Sequence, residues 1–261
     1  MRTLYNMLFK RQLKGNLVWS VSVALMTLVV VVLYPYVKDM YTVMPPEVMA
    51  IMEQFGGIPS NALEYYATEG AMMTQLFGSI YAAMLGFTMI NLFESEKTAE
   101  VLYVQGTPKR TFYISKQLLM VTLIILFSIV QYLFGLLGFA IIKENVNHLD
   151  YIYFHLIDTL LLVVFAYLGF GMCLLLKSTS KVMTSIILPL PLYVLTLVSS
   201  LTDNDIIKGL KYASPFTFAD PVVILKNQTS IDSISLIVYI SVIIIISTMF
   251  FKLYKTRIHT V

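Results

Sequence analysis

The sequence predicts an all-α integral membrane protein with six transmembrane helices and both termini in the cytoplasm. Three observations predict it. Six apolar runs, at about residues 17–37, 71–93, 118–142, 154–176, 182–201 and 231–251, are nearly free of charge and long enough for the roughly 20 residues that cross a hydrocarbon core. Only 13% of the 261 residues are charged and 58% are hydrophobic, against about 25% charged in a soluble domain. Too few polar side chains remain to cover a water-facing surface. The basic residues, finally, fall on alternate connections between the runs, which sets an orientation.

The elements follow in chain order as one transmembrane domain over residues 1–261. Residues 2–14 read as an amphipathic helix in the inner interface, with Leu4, Tyr5, Leu8 and Phe9 toward lipid and Asn6, Lys10, Arg11 and Lys14 toward water. The first run is not a cleaved signal peptide. It is too long, and Tyr34, Pro35 and Tyr36 stand where small residues would mark a cleavage site. Residues 38–70 form an outer loop with turn signals at Pro45-Pro46 and Gly56-Gly57. The runs are apolar all round, where barrel strands would alternate, so the spans are helices.

Within the spans, Gly135 with Gly138 and Ala166 with Gly169 place small residues where helices approach closely. Pro189 and Pro191 predict a kink in the fifth span, because each removes a backbone donor. Residues 202–230 form a second outer segment broken by Pro215 and Pro221, too polar to span but suited to short helices dipping into the outer leaflet. Cys173 lies inside an apolar run and reads as a small core thiol, with no second cysteine to pair with. The sequon Asn227-Gln228-Thr229 reads as accidental.

Charge bookkeeping orients the chain. One side holds Arg2, Lys10, Arg11, Lys14, Lys97, Lys109, Arg110, Lys116, Lys177, Lys181, Lys252, Lys255 and Arg257, thirteen in all. The other holds Lys38, Lys143, Lys208, Lys211 and Lys226, five in all. The positive excess marks the cytoplasmic side, and clustering at membrane ends argues for topology and against nucleic-acid binding.

Most catalytic readings fail by absence. No GxxxxGK[ST] loop, HExxH or GxSxG pattern occurs, and His148, His155 and His259 lack metal-ligand spacing. Asp158, with His155 one turn before it, is the one ionisable candidate inside a span. Placed near the outer end of the fourth span, the pair is read either as solvated at the interface or in a wet bundle interior, or as a polar contact to substrate.

The inner connection at 94–117 is the richest segment. Residues 96–105 suit a short amphipathic helix, with Glu96, Lys97 and Glu100 polar and Ala99, Leu102 and Tyr103 on an apolar face. Gly106 and Pro108 end it. The exposed face is covered by lipid headgroups, by the protein's own helices, or by a soluble partner.

Here the chain resembles the membrane subunit of type-2 ATP-binding-cassette exporters, the six-span permease family. Lys97-Thr98-x-Glu100-x-Leu102 matches that family's loop after the second span, with Lys116 at its later lysine. The proline and arginine of the loop stand at Pro108 and Arg110, where a gapless alignment has Gly106 and Lys109. Thr68-Glu69-Gly70 before the second span, Tyr212-x-Ser-Pro-Phe-x-Phe-x-Asp220 before the last, and the amphipathic amino-terminal helix add to the likeness, which covers essentially the whole chain.

The resemblance implies a transport subunit without its own nucleotide site, in a bacterial cytoplasmic membrane. It would pair with a second permease, a copy or a paralogue, and with separate ATPase subunits that carry ATP and magnesium. The inner loop would be a coupling helix, with Glu96, Lys97, Thr98, Glu100, Leu102 and Lys109 as contacts to the ATPase and Arg11 as a weaker one. Amphipathic peptides, lipids or drugs are the substrate classes compatible with the aromatic and apolar segments. The alternative function is a membrane anchor, sensor or immunity protein that recruits an ATPase without moving cargo.

Overall fold

The computed structural model describes residues 2–54, 56–95, 108–176, 181–201, 204–226 and 231–257. Among these no strand occurs, and six helices are long and apolar enough to cross a membrane. The long elements are α1 (Arg2–Val37), α4 (Met72–Ser95), α5 (Lys109–Ile142), α6 (His148–Leu175) and α9 (Ser233–Arg257). The fifth crossing is composite: a 3₁₀ segment, Val182–Ile187, followed by α7 (Pro189–Ser200). Pro189 opens α7, where its missing N–H costs nothing. The expected kink is therefore a change of helix type at Leu188.

Three sequence boundaries move. The amino-terminal helix is not a separate interfacial element: α1 runs unbroken for 36 residues, about 54 Å at helical rise. Leu4, Tyr5 and Phe9 pack against the main core and Leu8 is 2% exposed, so this face meets protein and not lipid. The Tyr5 hydroxyl donates to Thr122 Oγ1 at 2.9 Å. The reason is continuity of the stripe: Leu8, Asn16, Ser20, Val23, Ala24, Thr27 and Val31 are all buried on one line of helical spacing.

The second correction concerns residues 62–70, expected in the outer loop. They are helical, as α3 (Ala62–Tyr65) and a π segment, Tyr66–Ala71, that runs directly into α4. Asn61 caps α3 through its side chain, accepting from Glu64 N at 2.9 Å. The expected turn at Gly56-Gly57 is present, with φ of 106° and 75° that only glycine adopts easily. Before it lie a 3₁₀ segment, Lys38–Val43, and α2 (Pro46–Gln54). Third, α6 begins at His148 because Asn147 caps it, accepting from Leu149 N at 3.1 Å.

The segment expected on the outer side before the last span holds short helices: α8 (Asp205–Leu210), 3₁₀ segments Lys211–Ala213 and Pro215–Ala219, and a π segment Val222–Lys226. Phe216, Phe218 and Ala219 enter the main core, so the Ser-Pro-Phe-x-Phe run is a wedge into the bundle.

Contacts between the long helices set their directions. Asn16 Nδ2 donates to the Leu123 carbonyl at 2.9 Å and Gln131 Nε2 to the Ser20 carbonyl at 2.8 Å, so α1 and α5 run parallel. Asn16 meets Tyr81 and Thr27 meets Thr74, so α4 runs against α1. Tyr113 donates to the Ile246 carbonyl and its ring lies 5.2 Å from that of Tyr254, placing the end of α9 beside the start of α5. The start of α1, the start of α5 and the end of α9 thus share one end of the bundle.

α4 and α6 make the tightest pairing. A Cβ on Gly86 would lie 1.8 Å from the Ala166 carbonyl oxygen, and one on Gly169 would lie 2.1 Å from that of Ala83. Gly138 sits against Val31 of α1 and Gly135 against the Tyr151 hydroxyl. All four small residues singled out in the sequence lie at helix contacts.

Candidate functional site

Five of the six residues expected to couple to a partner, Glu96, Lys97, Thr98, Glu100 and Leu102, lie outside the described residues. The sixth, Lys109, is the first residue of α5. Pro108 precedes it in an extended conformation, and its carbonyl accepts from Thr111 N at 2.9 Å, so the helix starts sharply where the segment 96–107 ends. Lys109, Arg110 and Lys255 line a cleft of about 640 Å³ between α5 and α9, with Tyr113, Gln117 and Ser247. Ser247 donates to Gln117 Oε1 at 2.8 Å, and Lys255 lies 4.6 Å above the Phe251 ring. No acidic side chain among the described residues lines this cleft. Its charge suits an acidic or anionic partner surface. Arg11 is exposed on α1.

His155 and Asp158 are not solvated. They are 5% and 2% exposed, because both lie on the face of α6 that packs into the bundle. The His155 ring is enclosed by Tyr151, Phe154, Tyr132 and Tyr66, at centroid distances of 4.5, 5.3, 5.5 and 6.4 Å. Neither of its nitrogens has a hydrogen-bond partner among the described residues. Asp158 interacts with the Gln75 side-chain amide, which also donates to the Ala219 carbonyl at 2.7 Å, and Asp158 Oδ1 is left without a partner among the described residues. Buried polar groups without partners are expensive, so this cluster is a second place where function is sought.

No family model matches the chain, and neither does any curated protein or solved structure. What the site can do therefore rests on its own geometry.

Sequence reasoning missed Gln75, Tyr66 and Tyr151. Gln75 ties α4 to the wedge at Ala219 and to Asp158 of α6, so one side chain joins three segments. Asp220 ends the wedge, accepting from Val222 N at 2.9 Å and Val223 N at 3.3 Å. Burial pushes its carboxyl above its ordinary value, against the pull of those two donors and of Lys211. The Thr68-Glu69-Gly70 motif forms the π segment, where Gly70 leaves room for the Tyr66 ring. The Thr68-Glu69-Gly70 and Ser-Pro-Phe-x-Phe-x-Asp220 motifs thus build the end of the bundle opposite the basic cleft.

Proposed function

We propose that this chain is the membrane subunit of an ATP-driven exporter, powered by a separate soluble ATPase that docks at the end where α5 begins. The basic cleft of Lys109, Arg110 and Lys255, immediately after residues 96–107, is the observation that carries the reading. It offers positive charge and an open hollow beside the one connection whose sequence resembles a coupling helix.

The helix pairing supports a mechanism. The 96–107 segment joins α4 to α5. α4 is locked to α6 through Gly86 and Gly169, and α5 to α1 through Gln131 and Asn16. A displacement of that segment by the ATPase is passed to two rigid pairs, α4–α6 and α1–α5, which shift against each other. This is a two-state rearrangement of packed elements, and the chemistry of ATP belongs to the partner.

The test is affinity purification of the tagged chain from its own detergent-solubilised membranes, with ATPase activity assayed on the purified complex. A stoichiometric soluble ATPase, lost on Glu100→Lys or on the paired change Lys109→Glu and Arg110→Glu, supports the reading. A correctly inserted chain that purifies alone and without hydrolysis overturns it. Hydrolysis that stays indifferent to every amphipathic cargo points instead to an anchor that recruits the ATPase.

A further inference from the structure

At the end of the bundle opposite the basic cleft, a cavity of about 280 Å³ lies between α2, α4, α7 and the wedge. Two carboxylates line it, Asp220 at the end of the wedge and Glu53 in the last turn of α2, and no basic side chain among the described residues does. Asp220 Oδ1 is occupied by the Val222 and Val223 amides. Oδ2 has no hydrogen-bond partner among the described residues and is not enclosed. Glu53 is exposed. Lys211 acts on Asp220 from outside the cavity, and its ammonium lies 5.2 Å above the Tyr212 ring.

A third polar group is independent of the carboxylates. Gln75 lines the cavity and is only 2% exposed. Its amide nitrogen donates to the Ala219 carbonyl and interacts with the Asp158 carboxylate, so both hydrogens are engaged. That leaves its carbonyl oxygen, without a partner among the described residues, as the group it offers the cavity. Thr196 and Ser200 donate to carbonyls of α7 itself, which leaves their oxygens as acceptors. The Tyr193 hydroxyl apart, the polar lining accepts and does not donate. The rest of the wall is apolar and aromatic: the Tyr193 and Phe216 rings meet edge to face at 5.3 Å, beside Met72 and Leu197.

A negatively charged set of acceptors calls for a positively charged donor. A calcium ion takes six to eight oxygens, and a wall this apolar does not supply them. A primary ammonium has three donors and no acceptor, which matches Asp220 Oδ2, the Glu53 carboxylate and Gln75 Oε1, and aromatic faces attract it. We infer that this cavity binds a primary ammonium carried on a short apolar body, with Asp220, Glu53 and Gln75 as its acceptors. The Tyr193–Phe216 pair takes the body. Binding needs no ATPase and stands apart from the exporter reading; under that reading the cavity selects cationic cargo.

The test uses the full chain in phosphatidylcholine nanodiscs, whose headgroup has no N–H to donate. Two photoreactive probes share one short alkyl chain and one diazirine: hexylammonium and hexanol. Crosslinked peptides are mapped by mass spectrometry. The ammonium labels residues 193–200 and 216–223 saturably, and hexanol labels them about tenfold more weakly. Asp220→Asn, which keeps the capping oxygen, weakens the ammonium about tenfold. Glu53→Gln, at an exposed position, weakens it about threefold. Glu53→Lys places a cation in the lining and abolishes labelling, which keeps the test valid if Asp220→Asn fails to fold. Free amines and phosphatidylethanolamine carry the same ammonium group. Displacement of the probe when phosphatidylethanolamine replaces part of the lipid upholds the site with a lipid headgroup as its ligand; labelling that survives upholds it with a free amine. Equal labelling by both probes, or labelling of Glu53→Lys at the parent level, overturns the inference.

Discussion

Replacing Gly86 by alanine adds one methyl group and has no room for it. The new Cβ would lie 1.8 Å from the Ala166 carbonyl oxygen, where ordinary contact begins at 3.4 Å, so α4 and α6 must part by about 1.6 Å. The obstacle is backbone and cannot rotate away. Gly169→Ala meets the Ala83 carbonyl at 2.1 Å and requires about 1.3 Å. A gap of 0.5–1 Å already forfeits a quarter to a half of each dispersion contact, and Phe87, Phe165 and Leu162 on this seam are fully buried. Each substitution should cost about 3 kcal/mol, the upper part of the range for overpacking. The double variant should cost about 4 kcal/mol rather than the sum, because both methyl groups part the same two helices. Gly15→Ala is the control. Nothing lies within 4 Å of its Cβ position, so helix propensity alone acts and stability rises by up to about 1 kcal/mol. Denaturation by sodium dodecyl sulfate in mixed micelles, followed by near-ultraviolet circular dichroism, reads all four variants. An unchanged midpoint for Gly86→Ala, or costs that add in full, would refute the seam as drawn.

Other expectations follow from single side chains. Gln75→Leu should cost about 2 kcal/mol, since it strands the Ala219 carbonyl and loosens Asp158; hydrogen exchange should rise first at residues 215–226. Lys143 ends α5 at a φ of 58°, so Lys143→Gly should add about 1 kcal/mol of stability and shift the same denaturation midpoint upward. Asp220 has its carboxyl raised above an ordinary 3.8 by burial. Its favourable contribution is complete below the unfolded value and fades as pH rises through the raised folded value. Asp220→Asn keeps a capping oxygen without the charge, so its stability relative to the parent should climb as pH rises above the ordinary 3.8 and be flat below. A constant difference across that window in thermal melts would contradict the assignment.

The six helices long and apolar enough to cross a membrane were legible because length and apolarity are all such a helix requires, and the turn at Gly56-Gly57 because no other residue type takes those dihedrals readily. The boundaries were less so. Lys109 and Arg110 are too polar to count within a span, yet nothing stops α5 from continuing through them once Pro108 has started it. Likewise no proline separates Tyr66 from Met72, and the π segment carries the helix across Glu69 and Gly70. The residues expected to couple to a partner, Glu96, Lys97, Thr98, Glu100 and Leu102, fall outside the described residues, so for them sequence remains the sole guide.

The hardest feature to read was which way each helix faces, because a helix that is apolar all round carries no amphipathic stripe. At His155 and Asp158 the sequence left interface and bundle interior both open, and burial removes the solvated alternative. In lipid the hydrophobic side chain belongs outside, and polar and small residues gather at helix contacts. On α6, Tyr151, His155, Asp158, Leu162, Ala166 and Gly169 recur every three or four residues, and all are buried. On α1 the corresponding line is Asn16, Ser20, Ala24, Thr27 and Val31, and on α5 it is Ser128, Gln131, Gly135 and Gly138. Each line is written in the sequence by its polar and small members. Reading those members as the inward face decides for the bundle interior at His155 and leaves Ile125, Ile129 and Leu156 on the exposed face.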